Sequence, residues 1–468
     1  MTTATAPAPT TAPPRPAPPR RRRNAGPWAV GAGVFAVYAA VALRLHARFE
    51  TTGYDLGIFG QAVRHYADGQ WPASELRSEG APGLTAFPLL GDHFHPVLAL
   101  LGPLYALVPR VELLLVVQAA LVALSAGVVT GCAARRGLWG APALGVAYAG
   151  TWGLQSLIGF DFHEVAFAVP LLALSLAAWL DGRWTACAWW GAALLLVKED
   201  MGLTVAAIGV LLIRRHLRAG LLLCVGGPLA MALVLLVVLP AFSPSGGYGY
   251  LDSASGTFGL FQGLDTKANT VLMLLLPTGL LAVRSPLLLV ALPTLAWRFA
   301  SGNTVYWGTS HHYSAVLMPV VFLALVDTLS RLRAHRRTAT VLPAALLAVA
   351  ALATATTAPF GPLLLARAGT PSFWTASPRT AAGGAALALV PDGAVVAASN
   401  SMAPHLTDRA TVYLLTPGAF AAGRPVPEWL VADDASVWPG PTAAALGAAA
   451  GYERLYSAEG FSVWKRVP

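Results

Sequence analysis

Apolar runs of membrane-spanning length recur from Pro27 to about Thr357, and this pattern restricts the chain to a polytopic membrane fold. In hydrocarbon every backbone polar group needs an internal partner, so each run must be helical. Composition agrees, with 56% apolar and 11% charged residues, the latter about half the share in a soluble domain. The formal charge of +9 rests on arginine, since the only lysines are Lys198, Lys267 and Lys465. Those arginines cluster between apolar runs, which points to topology and not to nucleic acid binding. Cys132, Cys187 and Cys224 lie inside apolar runs without metal-ligand spacing and read as packing residues.

Residues 1–26 are rich in Pro, Ala and Thr and carry Arg20 to Arg23; they cannot bury a core and are expected to form a disordered cytoplasmic tail. The transmembrane domain then covers residues 27–357, with a first span from Pro27 to Leu43 and a large external loop over 44–96. In that loop Leu56, Phe59, Val63 and Tyr66 recur at helical spacing, with Asp55 at the N-cap and Gly69 at the stop. This predicts an amphipathic helix lying in the membrane interface. Phe94 to Val108 is short and interrupted by Pro96 and Pro103, so it reads as re-entrant or interfacial. Placing arginine clusters inside then gives spans at Val111–Ala133, Leu138–Leu157 and Val165–Leu180, and two short arms within Trp184–Ile213. Further spans follow at Leu221–Leu239, Asn269–Val283, Pro286–Phe299, His311–Leu329 and Thr338–Thr357, about 11 in all.

Residues 370–468 leave the apolar pattern. Ala394–Ala397, Thr411–Leu415, Trp429–Ala432 and Phe461–Val467 predict short strands, and the segment is expected to form a small extracytoplasmic α/β domain. The fold class is thus an all-α polytopic protein of the cell membrane with a C-terminal α/β domain, its N-terminus cytoplasmic and its C-terminus outside.

With this topology, which follows from the arginines alone, five polar clusters are expected to share the outer side. Asp55 suits a helix N-cap and equally a general base. Asp92, His93 and His95 offer half of a divalent metal site, or an ordinary polar loop. Asp161, His163 and Glu164 mark a span boundary, where solvated polar residues are common. Lys198, Glu199 and Asp200 interrupt an apolar run, where each charge costs about 2.5–3.5 kcal/mol at a span centre, so they need mutual pairing, a cavity or an interface position. His311, His312 and Tyr313 open a span. Together with Gln61 and Arg64 of the loop helix, these residues are expected to line one cavity.

Several of these motifs fall in register with one family. Tyr54-Asp55-Leu56-Gly57-Ile58-Phe59-x-Gln61, Gly91-Asp92-His93-Phe94, Phe160-Asp161-Phe162-His163-Glu164, Lys198-Glu199-Asp200 and His312-Tyr313 resemble the prokaryotic polytopic family named domain of unknown function 2079. That family is in turn similar to the C superfamily of membrane glycosyltransferases, which use polyprenyl-phosphate sugars on the outer face. The resemblance implies that Asp55, in the first external loop, occupies the position of the base. Many relatives show a paired acidic motif there, whereas Leu56 and Gly57 follow Asp55 here.

The expected function is transfer of sugar from a polyprenyl-phosphate donor to an envelope acceptor. Lys198, a metal at Asp92, His93 and His95, or Arg64 would balance the charge of the departing phosphate. Two other classes compete: a transporter or flippase binding its solute at the Lys198-Glu199-Asp200 break, and a non-catalytic envelope assembly protein.

Overall fold

The computed structural model describes residues 25–81, 83–138, 140–249, 259–332, 363–436 and 451–467. Among them, Gly26–Ala47, Glu112–Arg135, Leu217–Phe242 and His312–Leu332 are long and apolar enough to cross a membrane. At about 1.5 Å per residue each covers roughly the hydrocarbon thickness. Five shorter apolar helices accompany them: Pro96–Leu107, Glu164–Leu180, Trp184–Leu196, Met201–Ile213 and Pro286–Ala300. The expected tail and last span, Thr338–Thr357, lie outside the described residues except for Ala25 and Gly26, as do Arg333, Arg336 and Arg337.

In chain order the regular helices are α1 (Gly26–Ala47), α2 (Ile58–Ala67), α3 (Gly102–Leu107), α4 (Glu112–Arg135), α5 (Ala141–Ala149), α6 (Trp152–Gly159) and α7 (Ala168–Leu180). They continue with α8 (Trp184–Ala192), α9 (Met201–Ile213), α10 (Leu217–Leu233), α11 (Leu264–Leu275), α12 (Leu292–Ala300) and α13 (Leu317–Leu332). Helix α1 packs along α4, and α9 along α10. The second pair approaches through small residues, since a Cβ on Gly202 would lie 2.5 Å from the Gly227 carbonyl oxygen.

Two expected spans are interrupted. Leu138–Leu157 is split into α5 and α6 at Gly150 and Thr151, where Thr151 is extended. Asn269–Val283 ends as a helix at Leu275, because Gly279 and Leu280 turn the chain with φ of 56° and 61°. The Trp184–Ile213 run breaks at Lys198-Glu199-Asp200, as the charges require. Phe94–Val108 forms 3₁₀ turns and α3, which pack on α2 in a segment too short to cross.

Helix α2 is not a surface helix. Val63 joins the core of the bundle with Phe59 and Tyr66 packed against it, whereas Ile58 and Ala62 join Val396, Val412 and Val431 of the C-terminal sheet, so both faces are covered by protein. Asp55 does not cap it, since it lies in a preceding π-turn and α2 has no side-chain cap.

In the loop, Ala73–Ser74 (β1) pairs antiparallel with Phe87–Pro88 (β2). The C-terminal sheet contains Val395–Ala398 (β3), Thr411–Leu414 (β4), Trp429–Asp433 (β5), Tyr452–Ala458 (β6) and Phe461–Arg466 (β7), in the order β4-β3-β5-β7-β6. Strand β3 is parallel to β4 and β5, and β7 is antiparallel to β5 and β6. Helix α14 (Pro378–Ala388), opened by a Ser377–Thr380 capping box, packs Ala382 and Ala386 into this domain's core.

Candidate active site

The turn Gly53–Gly57 carries Asp55 and is pressed against the C-terminal domain. A Cβ on Gly53 would come within 2.6 Å of Ala403 Cβ, so only glycine fits. The Gly53 amide donates to the Asn400 carbonyl at 2.6 Å, and the Tyr54 amide donates to Asn400 Oδ1 at 2.8 Å. Asp55 leaves this turn with its side chain 27% exposed and Oδ1 3.4 Å from His163 Nε2. Thr52 Oγ1 stands 3.4 Å from Asp55 Oδ2.

The same threonine links a second carboxylate. Thr52 N and Oγ1 both donate to Asp161 Oδ2 at 2.7 Å. Asp161 is buried and takes φ 58°, a left-handed conformation that aspartate tolerates better than most residues. Gln118 of α4 fixes this bend: Nε2 donates to the Leu157 and Asp161 carbonyls, and Oε1 accepts from the His163 amide at 3.0 Å. Burial pushes the Asp161 carboxyl up to about 7; the Thr52 hydrogen bonds oppose the rise and the Asp55 charge adds to it.

His163 stacks on His312 with ring centroids 3.7 Å apart, and Phe160 lies against both rings. His311 and Tyr313 border this stack, with His311 edge-on to Phe160 at 5.0 Å and Tyr313 4.4 Å from His312. Buried Arg298 holds the loop in place, donating to the carbonyls of Tyr306 and Gly308 and to Ser314 Oγ.

The remaining charges form a neighbouring group. Lys198 Nζ donates to Glu164 Oε1 at 2.7 Å. Glu199 accepts from the Phe94 amide at 3.0 Å and the Tyr248 hydroxyl at 2.8 Å, and lies 2.7 Å from His93 Nδ1. The broken helix therefore presents its charges to the His93–Phe94 loop and to the Asp161–Glu164 bend. Phe59 joins the two groups, its ring 5.8 Å from His95 and 5.9 Å from His163. Buried His163 Nδ1, His312 Nδ1, His95 Nδ1 and Asp200 Oδ1 are among the described side-chain atoms without a hydrogen-bond partner, so polar demand is left unmet here.

Not every expected residue faces this centre. Gln61 donates to the Val412 carbonyl and accepts from Ser74 Oγ and the Leu76 amide, and Arg64 donates to the Thr407 and Ala410 carbonyls. Both therefore join α2 to its surroundings. Asp92 is held by Arg77 through two bonds of 3.0 and 3.1 Å. Burial would raise Asp92, but His93 and Arg77 hold it below the usual carboxylate range. With Asp92 committed to Arg77 and His93 to Glu199, the metal expectation at Asp92, His93 and His95 finds no suitable geometry. Among the described residues no group of three or more His, Cys, Asp or Glu is arranged to hold an ion.

Thr52, Arg77, Gln118, Arg298 and Asn400 were not anticipated. Two left a signal: Gln118 is the only amide in the Val111–Ala133 run, and Arg298 the only charge in Pro286–Phe299. Thr52 and Asn400 lie in loops without pattern. Beyond Phe160 a cavity of about 290 Å³ is lined by Trp152, Gln155, Ser310, Leu364 and Arg367 among others.

A broken-helix bundle with an acidic turn after its first span and a small C-terminal sheet defines a membrane protein of the glycosyltransferase C-like fold. Residues 45–446 match the family described as "Predicted membrane protein (DUF2079)", and the chain belongs to it. Among solved structures, ArnT from Cupriavidus metallidurans bound to undecaprenyl phosphate superposes with a TM-score of 0.55 at 13% identity, covering 95% of this chain and 98% of that one. Its apo state gives 0.50 at 15% identity, covering 93% and 98%. No curated protein matches.

Proposed function

We propose that the protein is an integral membrane glycosyltransferase that moves a sugar from a polyprenyl-phosphate donor to an envelope acceptor, with Asp55 as the base. The observation that carries this reading is the placement of Asp55: an accessible carboxylate beside His163, at the edge of a buried charged cluster. The similarity in fold to a protein crystallised with undecaprenyl phosphate supports the donor class.

In the reaction an acceptor hydroxyl oxygen forms a bond to the anomeric carbon as the bond from that carbon to the phosphate oxygen breaks. Asp55 takes the hydroxyl proton, and polyprenyl phosphate leaves with the bonding electrons. Asp161, which holds its proton up to about pH 7, limits the negative charge beside Asp55. Lys198 supplies positive charge within the cluster, partly balanced by Glu164. The cavity lined by Phe160, whose ring lies against His163 and His312, offers room for a substrate group.

The face is proposed to be extracytoplasmic. On α4 the rise from Gln118, which bonds the site, to Arg135, which pairs with Asp181, is about 25 Å. Arg183 shares Asp181, so arginines gather at the end away from the site, as cytoplasmic ends require. The competing transporter reading draws less support, because the charges of the broken helix are bonded to a loop histidine, His93, and to Glu164 at the start of a helix.

Lipid recognition is tested by thermal unfolding of the purified protein with undecaprenyl phosphate and with the corresponding polyprenol. Stabilisation by the phosphate and not by the alcohol is expected. Equal effects of both would reject recognition of the phosphate.

A further inference from the structure

The carboxyl ends of parallel strands are where open α/β sheets receive ligands. Here the loop after β3 receives the chain's own Asp55 turn. Asn400 sits in that loop between two fixed neighbours. Ser399 Oγ accepts from the Asp433 amide at 2.9 Å, and Ser401 Oγ donates to Asp433 Oδ2 at 2.6 Å. Asp433 is itself buried and held by Arg379 through two bonds of 2.7 Å. The hold on the turn thus runs from the end of β5, through the Ser399–Ser401 loop, to the Gly53 and Tyr54 amides.

We propose that Asn400 is a positioning residue for Asp55, and that the C-terminal domain is an integral part of the site that fixes the geometry of its base. The proposal rests on the reading of Asp55 as base, but its mechanical half stands on the two amide bonds alone. A π-turn is an uncommon local structure, and isolated glycine-containing turns are mobile. The Asn400 side chain supplies the acceptor that selects this one, and the glycine at 53 admits the close approach.

The test is hydrogen exchange on the full-length protein in detergent, followed on the peptide that contains Gly53 to Gly57, with envelope glycan product measured in cells carrying the same variants. In Asn400→Ala the peptide is expected to exchange about tenfold faster, with peptides of α9 and α10 unchanged, and glycan product is expected to fall severalfold. Asn400→Asp keeps an oxygen acceptor and is expected to restore both. Should Asn400→Ala fail to fold, Ser401→Ala loosens the same loop and is expected to give a rise of about threefold. Unchanged exchange in the folded variants overturns the proposal, as does faster exchange with undiminished product where Asp55→Asn abolishes it. If Asp55→Asn leaves product intact, the reading of Asp55 as base fails and takes the catalytic half with it, whereas the exchange result still decides whether Asn400 holds the turn.

Discussion

Asp161 keeps its proton in the folded protein up to about pH 7, whereas an unfolded chain releases it in the ordinary carboxylate range, around 4. Between these values the folded state binds more protons, so this residue's contribution to stability falls as pH rises through the window and stays low above it. Asp161→Asn retains an oxygen to accept from Thr52 and removes the titration. It is expected to raise the melting temperature in detergent more at pH 8 than at pH 5; equal shifts would contradict the assignment. The Lys198–Glu164 pair gives a second prediction at this scale. Lys198→Met leaves the buried Glu164 carboxylate unpaired and is expected to cost about 3–5 kcal/mol, most of it recovered in Lys198→Met/Glu164→Gln. Thermal unfolding of both variants checks it, and a double variant no better than the single one would remove the pair from the account. These residues were legible because charges inside apolar runs stand out. Thr52 and Asn400 were not, since their roles depend on partners at Asp161 and Tyr54 that no local pattern announces.

Helices α9 and α10 meet where side chains are absent, and that contact makes a prediction of its own. Gly202→Ala places a methyl group against the Gly227 carbonyl and is expected to destabilise by about 1–3 kcal/mol. Gly226→Ala, one residue from that contact but facing open space, is expected to be neutral or stabilising by up to about 1 kcal/mol. Comparable losses in both would argue against close packing at Gly202. At this scale hydropathy located the apolar segments but not their interruptions. The turn at Gly279 and Leu280 requires two positive φ values, one of them at a leucine whose identity gives no warning. Strand β6 was missed because as an edge strand it exposes Glu453, Arg454 and Leu455 in succession, without the alternation that marks a half-buried strand. Its hairpin turn, Glu459-Gly460, takes positive φ at both positions, which suits Gly460 but is not announced by Glu459. Helix α2 was recognised as amphipathic, yet its second face is covered by the C-terminal domain, a contact across more than three hundred residues of chain.

Across the whole molecule, the polytopic class was legible from the apolar runs, and the glycosyltransferase C-like fold from the family resemblance that the motifs in register carry. The seating of the C-terminal sheet region on the Asp55 turn was not, because it depends on glycine clearance and on Asn400 acceptors, 346 residues from Tyr54, that no local pattern announces. Orientation carries its own prediction: with the site outside, Trp71→Cys in the exposed loop is expected to react with a membrane-impermeant thiol reagent in intact cells, and Arg135→Cys only after permeabilisation. The reverse labelling would invert the proposed topology. The central claim, that Asp55 is the base of a transfer from a lipid-linked sugar, is tested most directly by comparing polyprenyl-phosphate sugars and envelope glycans in wild-type and Asp55→Asn cells with matched protein levels. The account predicts that one lipid-linked sugar accumulates while a glycan disappears, a loss of at least about a hundredfold in transfer rate. Unchanged lipid and glycan profiles, with the variant folded and inserted, would contradict it.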